Sequence, residues 1–118
     1  MKFCNLDYLK SVTPKCNSFP IQMITIFLQD TPDSITKMKA ALKSSNWVEV
    51  HKNARKIKPS IIMLGASKTL LDNLLYIIEH SKSEVETHTI SSYLIKFEED
   101  MSKLYFELEE ALKDLENQ

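Results

Sequence analysis

Hydrophobic residues recur at alternating steps of three and four along most of the chain, which predicts amphipathic helices. The pattern is clearest from Trp47 to Ala66, where one apolar stripe contains Trp47, Val50, Ala54, Ile57, Ile61 and Leu64. Comparable stripes predict long helices over residues 18–43 and after Ser67. The last predicted helix carries a seven-residue repeat, typical of bundle seams, from Leu94 to Leu115.

Polar capping residues and prolines mark where the predicted helices begin, bend and end. N-terminal caps are expected at Asn5, Ser18, Asn46 (or Ser45) and Ser67. Pro14 follows a short first helix, and Thr31–Ser34 predicts either a kink or a second helix start. Pro59 should bend the helix that contains it, and Gly65 should end that helix as a left-handed cap. Residues 80–88 are a polar connection.

These elements predict a single domain over residues 1–118. A chain of 118 residues can bury a core without metal or disulfide. It contains one glycine, too few for many tight hairpin turns, so helices joined by short polar links are favoured. The predicted fold is all-α: an antiparallel up-down-up-down four-helix bundle with a short extra N-terminal helix.

Composition excludes several classes of protein. No apolar run approaches the length of a membrane span and the N-terminus has no signal-peptide core, so a cytoplasmic protein that does not bind membranes is expected. Cys4 and Cys16 lack partner clusters, which favours two thiols over a disulfide. His80 and His88 lack carboxylate or cysteine partners at ligand spacing. We therefore expect no metal and no cofactor.

Charge is distributed unevenly along the chain. The formal net charge is only -1, yet the segment from Val50 to Leu71 holds five cations and no carboxylate. Residues 84–118 hold ten carboxylates and three lysines, which we interpret as a solvated helix face. The acidic balance and the lack of aromatic residues within the basic segment argue against nucleic-acid binding. The basic segment instead predicts a surface for an anion or an acidic partner.

Two short motifs resemble a known family. Ala54–Ser60 reads ARKIKPS and Met63–Ala66 reads MLGA. Together they resemble the signature of histidine-containing phosphotransfer (HPt) domains, in which Ala-His-x-Leu-Lys-Gly-Ser leads to Leu-Gly-Ala. Looser similarities at Asn5–Leu9, Ile26–Pro32 and Asn46–Trp47 occur in the family's order. One departure stands out: the position of the phosphorylated histidine holds Arg55.

The register of this resemblance can be tested on its anchor residues. With Arg55 at the histidine position, Lys58 falls on the family's lysine and Gly65 on its glycine. With His51 there instead, Ala54 falls on the lysine and Ile61 on the glycine, so both anchors fail. Arg55 is therefore the residue aligned with the histidine.

The resemblance implies a phosphorelay domain that docks a receiver domain of a response regulator or hybrid sensor kinase. In the family a neutral histidine nitrogen accepts the phosphoryl group, whereas a guanidinium has no lone pair to offer. We therefore expect docking without conventional phosphotransfer and, with no other catalytic cluster in the chain, no enzyme activity. The expected binding residues are Arg55, Lys58, His51, Lys52, Lys56 and Ile62. The structural motif positions are Pro59, Ser60 and Gly65.

Two alternatives stay open from the sequence. His51 lies one helical turn before Arg55 and could be a relocated phosphoryl carrier, with Lys58 as its neighbouring cation. The fold could also serve as a purely structural helical interaction module. In every case a monomer is expected, because a bundle with a closed core has no need to dimerise.

Overall fold

Five α-helices make up the part of the chain that the structure describes. The structure is a computed structural model that describes residues 2–12, 16–82 and 87–117, without the side chains of residues 87 and 88. The helices are α1 (Asp7–Val12), α2 (Ser18–Lys43), α3 (Trp47–Met63), α4 (Lys68–Ser81) and α5 (Thr87–Glu116). No strand occurs in these ranges, so the predicted all-helical class is confirmed.

Three of the predicted caps are confirmed by hydrogen bonds. The Asn46 side chain accepts the backbone N–H of Glu49 at 3.3 Å, and Ser67 accepts that of Leu70 at 3.4 Å. Asn5 accepts the N–H of Asp7 at 2.9 Å. Each bond satisfies an amide that the first helical turn would otherwise leave without a partner. Pro14 lies outside the described residues.

The predicted start of α2 at a Ser18 cap is wrong by one residue. Ser18 is already helical, and the preceding Asn17 has a helical backbone and no capping side-chain hydrogen bond. The helix therefore begins without a side-chain cap. Pro20 lies in its first turn, where a proline loses no helical hydrogen bond.

Of the two outcomes predicted for residues 31–34, a kink or a second helix start, the second helix start is excluded, because α2 is continuous across Pro32. An interior proline costs about 3 kcal/mol in an isolated helix. Here Thr31 and Ile35, on either side of the proline, are buried. Packing against the core holds the helix together and outweighs the local cost. Similarly, α3 runs through Pro59 to Met63 without a break.

The core is formed by the apolar stripes that the sequence predicts. In α3, Val50, Ala54 and Ile61 are fully buried. Every position of the seven-residue repeat in α5 is buried: Leu94, Phe97, Met101, Leu104, Leu108, Ala111 and Leu115. The burial of apolar surface along both helices supplies the main driving force for folding. No helix within the described ranges is long and apolar enough to span a membrane.

The four long helices form a closed ring of neighbours. Helix α2 packs against α3 and α5, and α4 packs against the same two helices. The molecule measures 47 × 21 × 21 Å, which matches a bundle about two helices wide and one long helix in length. Each long helix therefore buries one face and leaves another exposed.

The N-terminal segment, residues 2–5, is held against this ring by backbone hydrogen bonds. The Glu107 carboxylate of α5 accepts N–H bonds from Lys2, Phe3 and Cys4 at 2.9–3.3 Å. On the other side, Asn5 donates its N–H to the Leu64 carbonyl at 3.2 Å. These contacts fix the direction in which α1 begins.

Gly65 ends α3 in the way that the sequence predicts. Its φ is +61°, and the N–H groups of Gly65 and Ala66 bond the carbonyls of Ile62 and Ile61 at 3.0 Å. This is the Schellman pattern, in which a left-handed residue closes the last helical turn. The Asn5 carbonyl lies so close that a Cβ at position 65 would collide with it. Glycine is therefore required twice, by conformation and by space.

We predict that Gly65→Ala lowers the free energy of unfolding by about 2–4 kcal/mol, because alanine is strained at positive φ and displaces the N-terminal segment. Ser45 is a matched control, since it also has a positive φ, of 54°. Ser45→Gly should raise stability by up to about 1 kcal/mol. Urea unfolding measures both changes. Equal stability of Gly65→Ala and the unsubstituted protein would contradict the structure here.

The two cysteines have different surroundings: Cys4 is buried in the N-terminal segment, and Cys16 is exposed. Neither forms a disulfide. Burial, and then the nearby Glu107 carboxylate, raises the pKa of the Cys4 thiol to about 11, whereas a hydrogen bond with the Ser18 hydroxyl lowers the pKa of exposed Cys16. Because the thiolate is the reactive form, Cys16 should be alkylated at pH 8 at least about a hundredfold faster than Cys4.

Glu107→Ala should make the Cys4 thiol much more reactive, because it removes both the carboxylate charge and the acceptor that holds the N-terminal segment. Cys4 alkylation at pH 8 should then accelerate by about tenfold or more. Glu109→Ala, at an exposed position on the same helix, is the control and should leave the rate unchanged. Equal Cys4 rates in both variants would show that Glu107 does not hold the segment.

Candidate functional site

Four cations on α3 form the candidate site, which we call the basic face: Lys52, Arg55, Lys56 and Lys58. Lys52, Arg55 and Lys56 are exposed, and Lys58 is partly buried. Their positions follow from helical geometry, because the buried stripe of α3 directs the intervening side chains outward. The structure therefore brings together the four cations that the sequence assigned to binding.

Among the described residues, no carboxylate forms an ion pair with the basic face. Several lysines elsewhere form ion pairs: Lys39–Glu98, Lys68–Asp72, Lys82–Glu79, Lys96–Asp100 and Lys113–Glu110. Within the described ranges, none of the four basic-face cations forms such a pair. For Arg55 the reason lies in the sequence, since helical neighbours three and four residues away are those that pair. For Arg55 these neighbours are His51, Lys52, Lys58 and Pro59.

An apolar hollow adjoins the basic face at the C-terminal end of α3. It is lined by Tyr8, Pro59, Ile62 and Met63. Tyr8 is 60% exposed and Ile62 is 53% exposed, although both are large apolar side chains. The predicted binding residue Ile62 and the predicted motif residue Pro59 therefore lie on one surface. Tyr8 was missed, because its place beside α3 depends on contacts of the N-terminal segment.

His51 points away from the basic face, towards α4. Its Nδ1 lies 3.0 Å from the Ile78 carbonyl oxygen and 3.2 Å from the Ser81 hydroxyl. Ser81 is buried and donates its own hydroxyl to the same carbonyl at 3.0 Å. Although helical spacing places His51 and Arg55 one turn apart, contacts with α4 give their side chains different surroundings.

The contact with Ile78 also fixes which ring nitrogen of His51 carries a proton. A carbonyl oxygen only accepts hydrogen bonds, so Nδ1 must be the donor. In the neutral ring, Nε2 then keeps its lone pair. A second, mostly apolar hollow surrounds this ring, lined by Trp47, Val48, His51, Ser81 and Lys82.

Ser60 and Gly65, the remaining motif residues, lie outside the basic face. Ser60 is partly buried and lines a narrow cleft between α2 and α3 with Asp30, Ser34 and Lys56. Lys56 therefore has a carboxylate on the wall of its cleft, whereas Arg55 does not line it. Gly65 acts at the end of α3, as described above. Of the two, Gly65 determines where the helix that presents the cations ends.

His80, the other histidine whose side chain is described, packs in a stack of aromatic rings. The ring of His80 stacks on Tyr76 at 3.7 Å between centroids, and Tyr76 stacks on Tyr93 at the same distance. The side chain of His88 lies outside the described residues. No group of three or more His, Cys, Asp or Glu side chains suited to a metal ion occurs in the described part of the chain.

Comparisons of the chain with protein-family models, with curated proteins and with solved structures found no match. The function is therefore inferred from the residues of the basic face and their surroundings.

We predict that the neutral His51 ring carries its proton on Nδ1, because Nδ1 donates to the Ile78 carbonyl. Ring ¹⁵N NMR shifts distinguish this tautomer from the Nε2–H form. Ser81→Ala should preserve the Nδ1–H tautomer, since the carbonyl acceptor stays in place. An Nε2–H tautomer in the unsubstituted protein would contradict the contact between α3 and α4.

Proposed function

We propose that the protein is an HPt-like domain that docks receiver domains of response regulators or hybrid sensor kinases without conventional histidine phosphotransfer. One observation carries the proposal: an exposed, unneutralised arginine stands in the middle of a basic helix face, at the position that resembles the phosphorylated histidine. The active site of a receiver is acidic, as the HPt resemblance implies. Charge complementarity would therefore favour their association.

We further propose that the four long helices run up-down-up-down, as in an antiparallel bundle. Phe27, early in α2, contacts Tyr105, late in α5, with ring centroids 6.1 Å apart. Lys39, late in α2, pairs with Glu98, earlier in α5, at 3.2 Å. This order supports antiparallel α2 and α5. The short links after α2 and α3 support an antiparallel arrangement of α2 with α3 and of α3 with α4.

Side-chain chemistry explains the proposed loss of phosphotransfer. A guanidinium stays protonated and has no lone pair, so Arg55 cannot accept a phosphoryl group. It presents a planar set of N–H donors that can bind a carboxylate through two parallel hydrogen bonds. Lys58 lies one turn further on and would add a second positive charge. The apolar hollow at Ile62 and Tyr8 would supply contacts that do not depend on charge.

A second candidate function is phosphotransfer through His51. The observation that favours it is the Nδ1 contact with Ile78, which leaves Nε2 as a nucleophile in the neutral ring. Two facts weigh against it. His51 lies four residues from the aligned position, about 6 Å along the helix axis, and transfer tolerates misplacement of only about 1 Å. The ring is also partly buried against α4. A purely structural interaction module is the third candidate.

The cellular setting is inferred from the proposed partner. Because receiver domains operate in the cytoplasm, we place the protein there, as a monomer that needs no cofactor. The carboxylates of α5 lie on a different helix from the basic face, and in the described residues they pair with other lysines, such as Lys39 and Lys96, so they would not compete with a receiver's acidic pocket for the basic face. Phosphorelay signalling is thus the proposed context, and an interaction rather than a reaction is the proposed activity.

Arg55→His tests this proposal by restoring the missing nucleophile. If the docking surface is intact, the variant should gain phosphoryl label from a phosphorylated receiver that binds it, whereas the unsubstituted protein gains none. The double variant Arg55→His, His51→Ala should be labelled equally well, because the new histidine is the acceptor. Radiolabel on the protein after gel separation is the measurement.

The matched control is Lys56→His, which places a histidine on the same helix face at a position that is not aligned. It should stay unlabelled. Absence of label on Arg55→His, with a receiver shown to bind it, would mean that the surface does not present residue 55 to a receiver's aspartate.

A further inference from the structure

The neighbourhood of Arg55 contains positive charge without a local counter-charge. Its side chain is exposed, and none of the ion pairs found among the described residues involves it. Two of its helical neighbours, Lys52 and Lys58, are cations. An anion that reaches Arg55 therefore meets several positive charges and does not have to displace an existing partner.

We propose that Arg55 recognises the phosphorylation state of the receiver, so that the domain binds the aspartyl-phosphate form in preference to the bare aspartate. This inference rests on the proposed function, because it requires that a receiver docks on the basic face. It adds which state of the receiver is bound and which residue distinguishes the two states.

The two states differ in charge and in the number of acceptor atoms. Phosphorylation replaces a carboxylate by a group with about one more negative charge and three terminal phosphoryl oxygens. A guanidinium binds such oxygens through two parallel N–H bonds, and hydrogen bonds between charged groups are stronger than neutral ones. Arg55 therefore gains more from the phosphorylated state than from the unmodified one.

The apolar part of the docking surface contributes equally to both states. The hollow formed by Tyr8, Pro59, Ile62 and Met63 is mostly apolar, so its contacts do not respond to charge on the receiver. A ligand shifts an equilibrium only through its different affinity for two states. Overall affinity and state preference should thus be separable, with Ile62 controlling the first and Arg55 the second.

The chemistry of Arg55 also determines the fate of the phosphoryl group in the complex. Because the guanidinium has no lone pair, the phosphoryl group stays on the receiver's aspartate and no bond is formed or broken. The complex would hold the phosphorylated receiver and occupy the surface through which it meets other partners. The proposed role is therefore a competitor for activated receivers.

The test is the affinity of the full chain for isolated receiver domains from the same organism, measured with and without beryllofluoride, a stable mimic of the aspartyl-phosphate. Calorimetry or the fluorescence of Trp47, the one tryptophan of the chain, can follow binding. We expect binding to the beryllofluoride form to be about tenfold tighter. Arg55→Ala should reduce this ratio to about one.

Two control variants isolate the contribution of Arg55. Lys37→Ala removes an exposed cation on α2, outside the basic face, and it should keep the ratio near its original value. Ile62→Ala should weaken both states by the same factor. Each variant alters an exposed side chain, and helical circular dichroism checks that each has folded.

The outcomes separate the inference from the proposed function. No complex with any receiver, in either state, would overturn the proposed function and the inference with it. A complex of equal affinity in both states would leave docking intact and overturn the inference. A preference that persists in Arg55→Ala would overturn the assignment to Arg55.

Discussion

Burial of one stripe of α3 is the constraint on which the candidate site depends. Val50, Ala54 and Ile57 pack into the core with little or no exposed surface. Helical geometry then directs Lys52 and Arg55 into solvent, on a helix held by neighbours on both sides. The direction of the cations is thus set by hydrophobic packing, not by any contact that the cations themselves make.

The absence of ion pairs on this face has a small cost and a specific effect. An exposed pair three or four residues apart stabilises a helix by about 0.3–0.5 kcal/mol. Among the described residues, the four cations of α3 form no such pair, whereas Lys68–Asp72 in α4 and Lys96–Asp100 in α5 are examples. In return, the positive charge of the basic face stays available to an acidic partner. Arg55 lies among these cations, where a histidine would be needed for transfer and a guanidinium can only bind.

Periodicity and capping chemistry predict the helices well because both depend on residues close in sequence. The Asn46 and Ser67 caps and the left-handed Gly65 are examples. Continuity of α2 through Pro32 was not predictable in this way, since packing against other helices decides it. The candidate site contains both kinds of feature. Its cations can be predicted from the periodicity of α3 alone. The contact of His51 with α4 could not be predicted in this way, because it joins residues far apart in the chain.

The central claim is that the protein docks receivers but does not accept their phosphoryl group. Incubating the unsubstituted protein with phosphorylated receiver domains, and following label transfer and complex formation in one experiment, tests it most directly. The account predicts a complex without label on the protein. Label that appears on the protein and disappears in His51→Ala would contradict it and identify His51 as a relocated carrier.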